Sequence, residues 1–238
     1  MDKREQMSES FRLGVLLAIT GGFLDAYSYV ARGKVFATAE TGNMVLMGLN
    51  IAQGNWQKVP HYLIPIVCYA LGVLVAEQIK GRYKNNTDIN MHWRQIVVLA
   101  EILVVAVAAF IPQGELDIIA NSSIAFVCSM QVESFRKVNG NAYATTMCTG
   151  NLRSGMEHIH KMLFQNNRES RKAALEYFGI IASFIFGAMV GVWTADRWQG
   201  ARSPCLLRFS GGGICHYVCP GRENPGRGTE RSKKISIK

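Results

Sequence analysis

Leu13-Gly-Val-Leu-Leu-Ala-Ile-Thr-Gly-Gly-Phe-Leu-Asp-Ala-Tyr-Ser-Tyr-Val30 carries one formal charge, Asp25, in a run of otherwise apolar and small residues. A helix rises about 1.5 Å per residue and about 20 residues cross the hydrocarbon of a bilayer, so this run is close to a full span. Lys3 and Arg4 precede it as they would precede a signal peptide. No small-residue cleavage site follows, and equally apolar runs come later, which predicts a retained first helix. Those later runs are residues 62–79, 93–111, 118–135 and 173–195. Together the five predict an all-α polytopic membrane bundle.

Composition agrees once it is read locally. Of the 238 residues 49% are hydrophobic and 18% charged, which excludes a disordered chain, yet the mean hydropathy is only +0.09. The last 38 residues explain the discrepancy: residues 201–238 hold eight Lys and Arg against Glu223 and Glu230, and so supply +6 of the formal +9. No basic stripe with interleaved aromatics runs through the body, so no nucleic-acid partner is expected. Cys68, Cys128 and Cys148 lie in or beside apolar runs, where packing is the expected role. Cys205, Cys215 and Cys219 in the tail lack the paired CxxC spacing of a zinc site, so no metal and no cofactor is expected.

Two weaker segments, residues 35–52 and 142–163, each contain the same triplet, Thr41-Gly42-Asn43 and Thr149-Gly150-Asn151. Gly inside a helix costs about 1 kcal/mol and Asn adds little, so these segments are expected to be broken or re-entrant. The triplets lie 108 residues apart, and the same offset relates Asp25 to Glu133, Tyr27 to Phe135, Val30 to Val138 and Thr38 to Thr146. An offset of 115 relates Gly72 to Gly187, Val75 to Val190 and Arg82 to Arg197. An ordered set of matches predicts a duplicated unit: a cytoplasmic N-terminus at 1–12, a first membrane unit at 13–111, a second at 112–200, and a basic tail at 201–238. The second unit lacks an apolar counterpart of 93–111, so the tail is expected to be disordered or the product of a frameshift, with a natural basic tail as the alternative.

The stretch Gly21-Gly-Phe-Leu-Asp25-Ala-Tyr, with Phe36-Ala-Thr-Ala-Glu-Thr41-Gly-Asn43 and Gly54-Asn-Trp56, resembles the YoaK family of bacterial integral membrane proteins over roughly residues 10–200. The resemblance implies an inner-membrane protein commonly drawn with six spans, and leaves its activity open. Family members usually continue into a last apolar helix, where this chain departs from the pattern.

Basic residues orient the spans. Lys80, Arg82, Lys84 and Arg94 place their loop in the cytoplasm, whereas the loop 112–117 has no base and is expected outside. With the N-terminus also inside, each triplet segment must enter and leave on one side, and the two units are inverted. Full spanning by both would make the units parallel and put the strongest basic loop outside.

Carboxylates inside lipid are costly and tend to face cavities or proton paths. Asp25, Glu133 and Glu101 are therefore candidates for a substrate or ion pathway, the rival reading being helix-end or interhelix hydrogen bonds. Thr41, Gly42, Asn43, Thr149, Gly150 and Asn151 join them, because paired discontinuous helices point to a transporter site; their rival reading is helix capping. Glu40 has Cys148 as its mate and breaks the symmetry. Gly187-x-x-x-Gly191 suits close helix packing, Trp56, Trp93, Trp193 and Trp198 suit interfaces, and Arg153, Glu157, His158 and His160 suit a solvated face. No phosphate loop, nucleophile elbow or catalytic carboxylate pair is present, so no enzyme chemistry is expected. The expected function is a secondary transporter or channel for a small solute, the alternative a non-transporting scaffold. Expected partners are the lipid bilayer, that solute and a second copy of the chain.

Overall fold

The computed structural model describes residues 10–83, 93–138, 141–165, 167 and 169–202. Part of the basic loop expected in the cytoplasm, Lys84 included, and the tail from 203 with Cys205, Cys215 and Cys219 lie outside the described residues. The chain divides into two compact units, Met1–Arg197 and Trp198–Lys238. The first is described below; of the second, residues 198–202 complete the last helix.

Among the described residues seven α-helices dominate: α1 Phe11–Ala31, α2 Glu40–Ala52, α3 Val59–Tyr83, α4 Trp93–Phe110, α5 Asp117–Ser134, α6 Cys148–Phe164 and α7 Glu169–Arg202. A 3-10 turn, Trp56–Lys58, joins α2 to α3, and a two-stranded hairpin, β1 Lys137–Val138 with β2 Asn141–Ala142, lies between α5 and α6. All five apolar runs are helical. Among the described residues, the helices α1, α3 with its preceding 3-10 turn, and α7 are long and apolar enough to cross a membrane. The 18 residues each of α4 and α5 reach about 27 Å at 1.5 Å per residue, slightly less than the hydrocarbon thickness.

Side-chain placement is that of a protein solvated by lipid. Phe110 is 88% exposed, and Ile102, Leu103 and Val107 of α4 and Ile185, Phe186 and Met189 of α7 are exposed with it. Meanwhile Asn121, Ser129, Gln131 and Ser134 are buried on α5, which makes α5 the polar centre of the bundle. Such an arrangement in water would expose far more apolar surface than soluble monomers tolerate.

Small residues set which helices touch. A Cβ on Gly72 would strike the Phe126 carbonyl, which brings α3 onto α5. A Cβ on Gly187 would strike the Ile19 carbonyl, one on Gly191 the Phe23 carbonyl, and one on Gly22 the Phe184 carbonyl, which brings α7 onto α1. Close backbone approach of this kind drives helix association in lipid, where no hydrophobic force acts between helices. Gly187-x-x-x-Gly191 is thus spent on α1. Because the contacts advance in step, 179 with 11, 187 with 19 and 191 with 23, α7 runs parallel to α1. The advance from Gly72 at Phe126 to Ala76 beside Met130 makes α3 parallel to α5.

Polar ties fix the remaining directions. Arg32, 1% exposed at the end of α1, pairs with Asp117 of α5 at 3.2 Å and donates to the carbonyls of Ala108 and Ile111 at the end of α4 at 2.9 and 3.0 Å. At the opposite ends, Arg94 of α4 donates to the Ser134 carbonyl of α5 at 3.0 Å, and Lys80 of α3 lies 3.5 Å from Glu133. Hence α1, α4 and α7 run one way, and α3 and α5 the other.

Candidate functional site at two helix starts

Both triplets stand in the first turn of a helix, α2 or α6, and not inside a broken one as their composition predicts. The Asn explains the difference. Asn43 donates to the Phe36 carbonyl at 2.8 Å and accepts from the Phe36 N–H at 2.9 Å. Asn151 donates to the Ala144 carbonyl at 2.6 Å and accepts from the Ala144 N–H at 3.2 Å. Each side-chain amide therefore acts like a strand neighbour for extended chain seven residues upstream, satisfying backbone that lipid cannot. Both Asn side chains are buried. Gly42 has a steric duty, since a Cβ there would meet the ring of Phe36; Gly150, with open space around it, has none. Thr41 is exposed and Thr149 likewise, so the triplet threonines do not line an interior site.

The groups upstream of the triplets are buried. Asp25, 4% exposed on α1, accepts from the Thr38 N–H at 2.6 Å, the Thr38 hydroxyl at 2.7 Å and the Ala39 N–H at 3.1 Å. Its carboxylate thus holds the two residues that lead into α2, near the positive end of that helix's dipole, while no side chain caps α2 itself. Glu40 stands in that first turn and accepts from Asn43 at 3.0 Å.

At α6 the acid is missing. As at α2, no side chain caps this helix, but here the first turn contains no carboxylate. The Thr146 hydroxyl, in the place corresponding to Thr38, is buried and unpartnered, as are the Thr145 hydroxyl and the Gln131 amide. Glu133 does not occupy the place on α5 that Asp25 has on α1. The two helices end alike, at Arg32 with φ −132° and ψ 61° and at Phe135 with φ −118° and ψ 64°, each N–H bonded four residues back. Those caps lie 103 residues apart, whereas the caps of α2 and α6, Ala39 and Met147, lie 108 apart, the extra five residues falling at the hairpin. Counted along the helix, Cys128 stands where Asp25 does. Glu133 is instead near the end of α5, 3.5 Å from Lys80 and 3.2 Å from Arg136.

Glu101, 5% exposed on α4, has no hydrogen-bond partner for either oxygen. It lies within electrostatic reach of Cys128, as do Asp25 and Glu40. Asp25 reaches Cys148, the first residue of α6, as well. Cys128 packs with Leu24 and Ala37 ahead of α2, and Thr146 ahead of α6 lies against Gly21, about one turn from Asp25 on α1. Among the described residues no group of His, Cys, Asp and Glu is arranged to hold a metal ion. Arg153 and Glu157 are exposed on α6, and Lys161, 2.8 Å away, holds the Glu157 carboxyl below its usual range, whereas His158 turns inward to stack on Tyr177.

The residues that sequence reasoning missed are Arg32 with Asp117, and Thr145, Cys128 and Gln131. Thr38 and Thr146 had been matched with each other but given no role. Arg32 had a legible signal, a base directly after an apolar run; the unpartnered groups around α6 had none, because they matter only by comparison with Asp25.

Comparison with known proteins gives a consistent identification. The UPF0700 transmembrane protein YoaK of Bacillus subtilis (strain 168) is 28% identical over 192 residues, which cover 77% of this chain and 84% of that protein. No solved structure matches the chain. A family profile matches residues 13–209, nearly the whole of the helical body. With its lipid-type exposure and its spanning helices, the chain is a membrane protein and belongs to the family described as protein of unknown function (DUF1275).

Proposed function

We propose that this protein is a secondary transporter or channel for a small solute, spanning an inner membrane several times, with its pathway at the starts of α2 and α6. The observation that carries the reading is the pair of Asn-braced helix starts, each with its Asn side chain buried, at which extended backbone and helix dipoles meet inside a lipid-facing bundle, with a carboxylate at the first. Irregular backbone at membrane depth is tolerated where it is buried in protein or lines a cavity, and transporters place substrates at such helix ends.

Helix directions support an inverted arrangement. With the Lys80 end of α3 in the cytoplasm, α1 runs outward and α3 inward. The segment between them, including α2, therefore leaves from and returns to the outer side, and the 13 residues of α2 would reach only about 20 Å. By the same directions, α5 ends and α7 begins on the cytoplasmic side, so α6 is re-entrant from within. The two halves are then a duplicated, inverted pair, each contributing one helix start.

The test is a solute screen on the full chain in nanodiscs, read as thermal stabilisation, followed by uptake in proteoliposomes. A stabilising solute whose uptake falls at least tenfold in Asp25→Asn and Asn43→Ala is the expected result. Uptake that persists in both variants would overturn the placement of the pathway, and absence of any solute-dependent flux would favour a scaffold.

A further inference from the structure

Asp25 shows what a helix start in this bundle takes. One carboxylate accepts two backbone N–H groups and the Thr38 hydroxyl, and all three donors are satisfied at 3.1 Å or less. Around α6 the corresponding hydroxyl is in place without the acceptor. Thr146 precedes its helix by two residues, as Thr38 does, is 8% exposed, and its hydroxyl has no partner. Its methyl group lies against Gly21, in space that a Cβ would fill, so α1 gives way to admit the residue. Thr145 beside it is fully buried and equally unpartnered, and Gln131 is fully buried with both amide atoms unpartnered. Gln131 stands three residues beyond Cys128 on α5, hence on one helix face with it. Cys128, the residue in Asp25's place, is a thiol and a weak acceptor at best.

We propose that the start of α6 binds a small monocarboxylate, whose oxygens take the Thr146 hydroxyl and the N–H groups of Thr146 and Met147 as Asp25 takes those of Thr38 and Ala39 ahead of α2. A buried hydroxyl left without a partner is destabilising, and a helix start without a capping side chain favours an anion, so both features are relieved by one ligand. The unpartnered Thr146 hydroxyl has one hydrogen to give, as the Thr38 hydroxyl has for Asp25, so a single carboxylate is the class selected. The inference rests on the pathway reading for its site but not for its chemistry.

Acetate and formate are the probes, titrated against chloride at equal ionic strength into the full chain in nanodiscs, with thermal midpoint and calorimetry as readouts. Saturable stabilisation by acetate, weakened about tenfold in Thr146→Val, is the expected result, because a hydrogen bond to a charged group is lost. Cys128→Asp is expected to supply the carboxylate from within and abolish the acetate response. Should Cys128→Asp not fold, the Thr146→Val titration alone decides. Equal shifts by acetate and chloride, or an undiminished acetate response in Thr146→Val, would overturn the proposal. Acetate binding without flux of any solute leaves the carboxylate site standing and overturns the pathway; flux that Asp25→Asn abolishes, without acetate binding, does the reverse.

Discussion

The start of α2 and the start of α6 use the same Asn brace and differ in how they are closed. At α2 a neighbouring helix supplies a carboxylate, the first turn adds Glu40, and Gly42 lets Phe36 lie against the backbone. At α6 the brace stands alone, beside buried hydroxyls and an amide with no partners. A shared scaffold with unequal polar satisfaction separates what the architecture requires, the Asn, from what is specific to one side, the acid.

The comparison breaks first at Arg32, which has Phe135 as its counterpart and so exists on one side only. Removing one partner of a buried pair strands the other charge, and Arg32→Ala is expected to lower unfolding free energy by about 3–5 kcal/mol in a reversible detergent titration. A loss below about 1 kcal/mol would show that water reaches the Asp117 carboxylate. Next is Asp25→Ala, which leaves two N–H groups and a hydroxyl without an acceptor and is expected to cost about 2–4 kcal/mol. Cys128→Ala at the matching place removes one small buried group and is expected to cost about 1 kcal/mol. Equal losses for these two would abolish the distinction between the helix starts.

Asn43→Ala and Asn151→Ala sharpen the shared part. Each removes two hydrogen bonds to otherwise unserved backbone, so each is expected to cost about 1–3 kcal/mol, with Asn43 slightly the worse because Glu40 also loses its partner. The smallest effect is the most discriminating. Thr38→Val is expected to cost about 1 kcal/mol, whereas Thr146→Val, removing a hydroxyl that has no partner, is expected to change ligand-free stability by less than about 0.5 kcal/mol. Hydrogen exchange or thermal unfolding in the absence of carboxylate buffers would check both.

Apolar run length was enough to read the five long helices, because spanning lipid leaves little freedom in composition. The triplets were legible as special but misplaced within their segments: Gly was weighed as a breaker, while the Asn side chain, whose partner lies seven residues upstream, is what makes the first turn. The pairing of Asp25 with Glu133 failed for a physical reason too. Matching motifs carries an offset of 108 through the loop, but the hairpin absorbs five residues that the helices do not share, and a side-chain face is lost by a shift of even one residue. Unpartnered donors near α6 leave no mark on composition at all, since Thr and Gln are ordinary in any helix-rich chain.

The glycine contacts also bear on how the chain is made. Gly22 meets α7 near Phe184 and Ala188, more than 160 residues later in the sequence. At about 5–20 residues per second of synthesis, the first helix therefore waits on the order of 10–30 s for its partner. During that interval its small-residue seam is open to lipid or to the insertion machinery. The seam can close only when nearly the whole body has been made, so the docking of α7 on α1 is a late event, after α3, α4 and α5 are available to pack on one another.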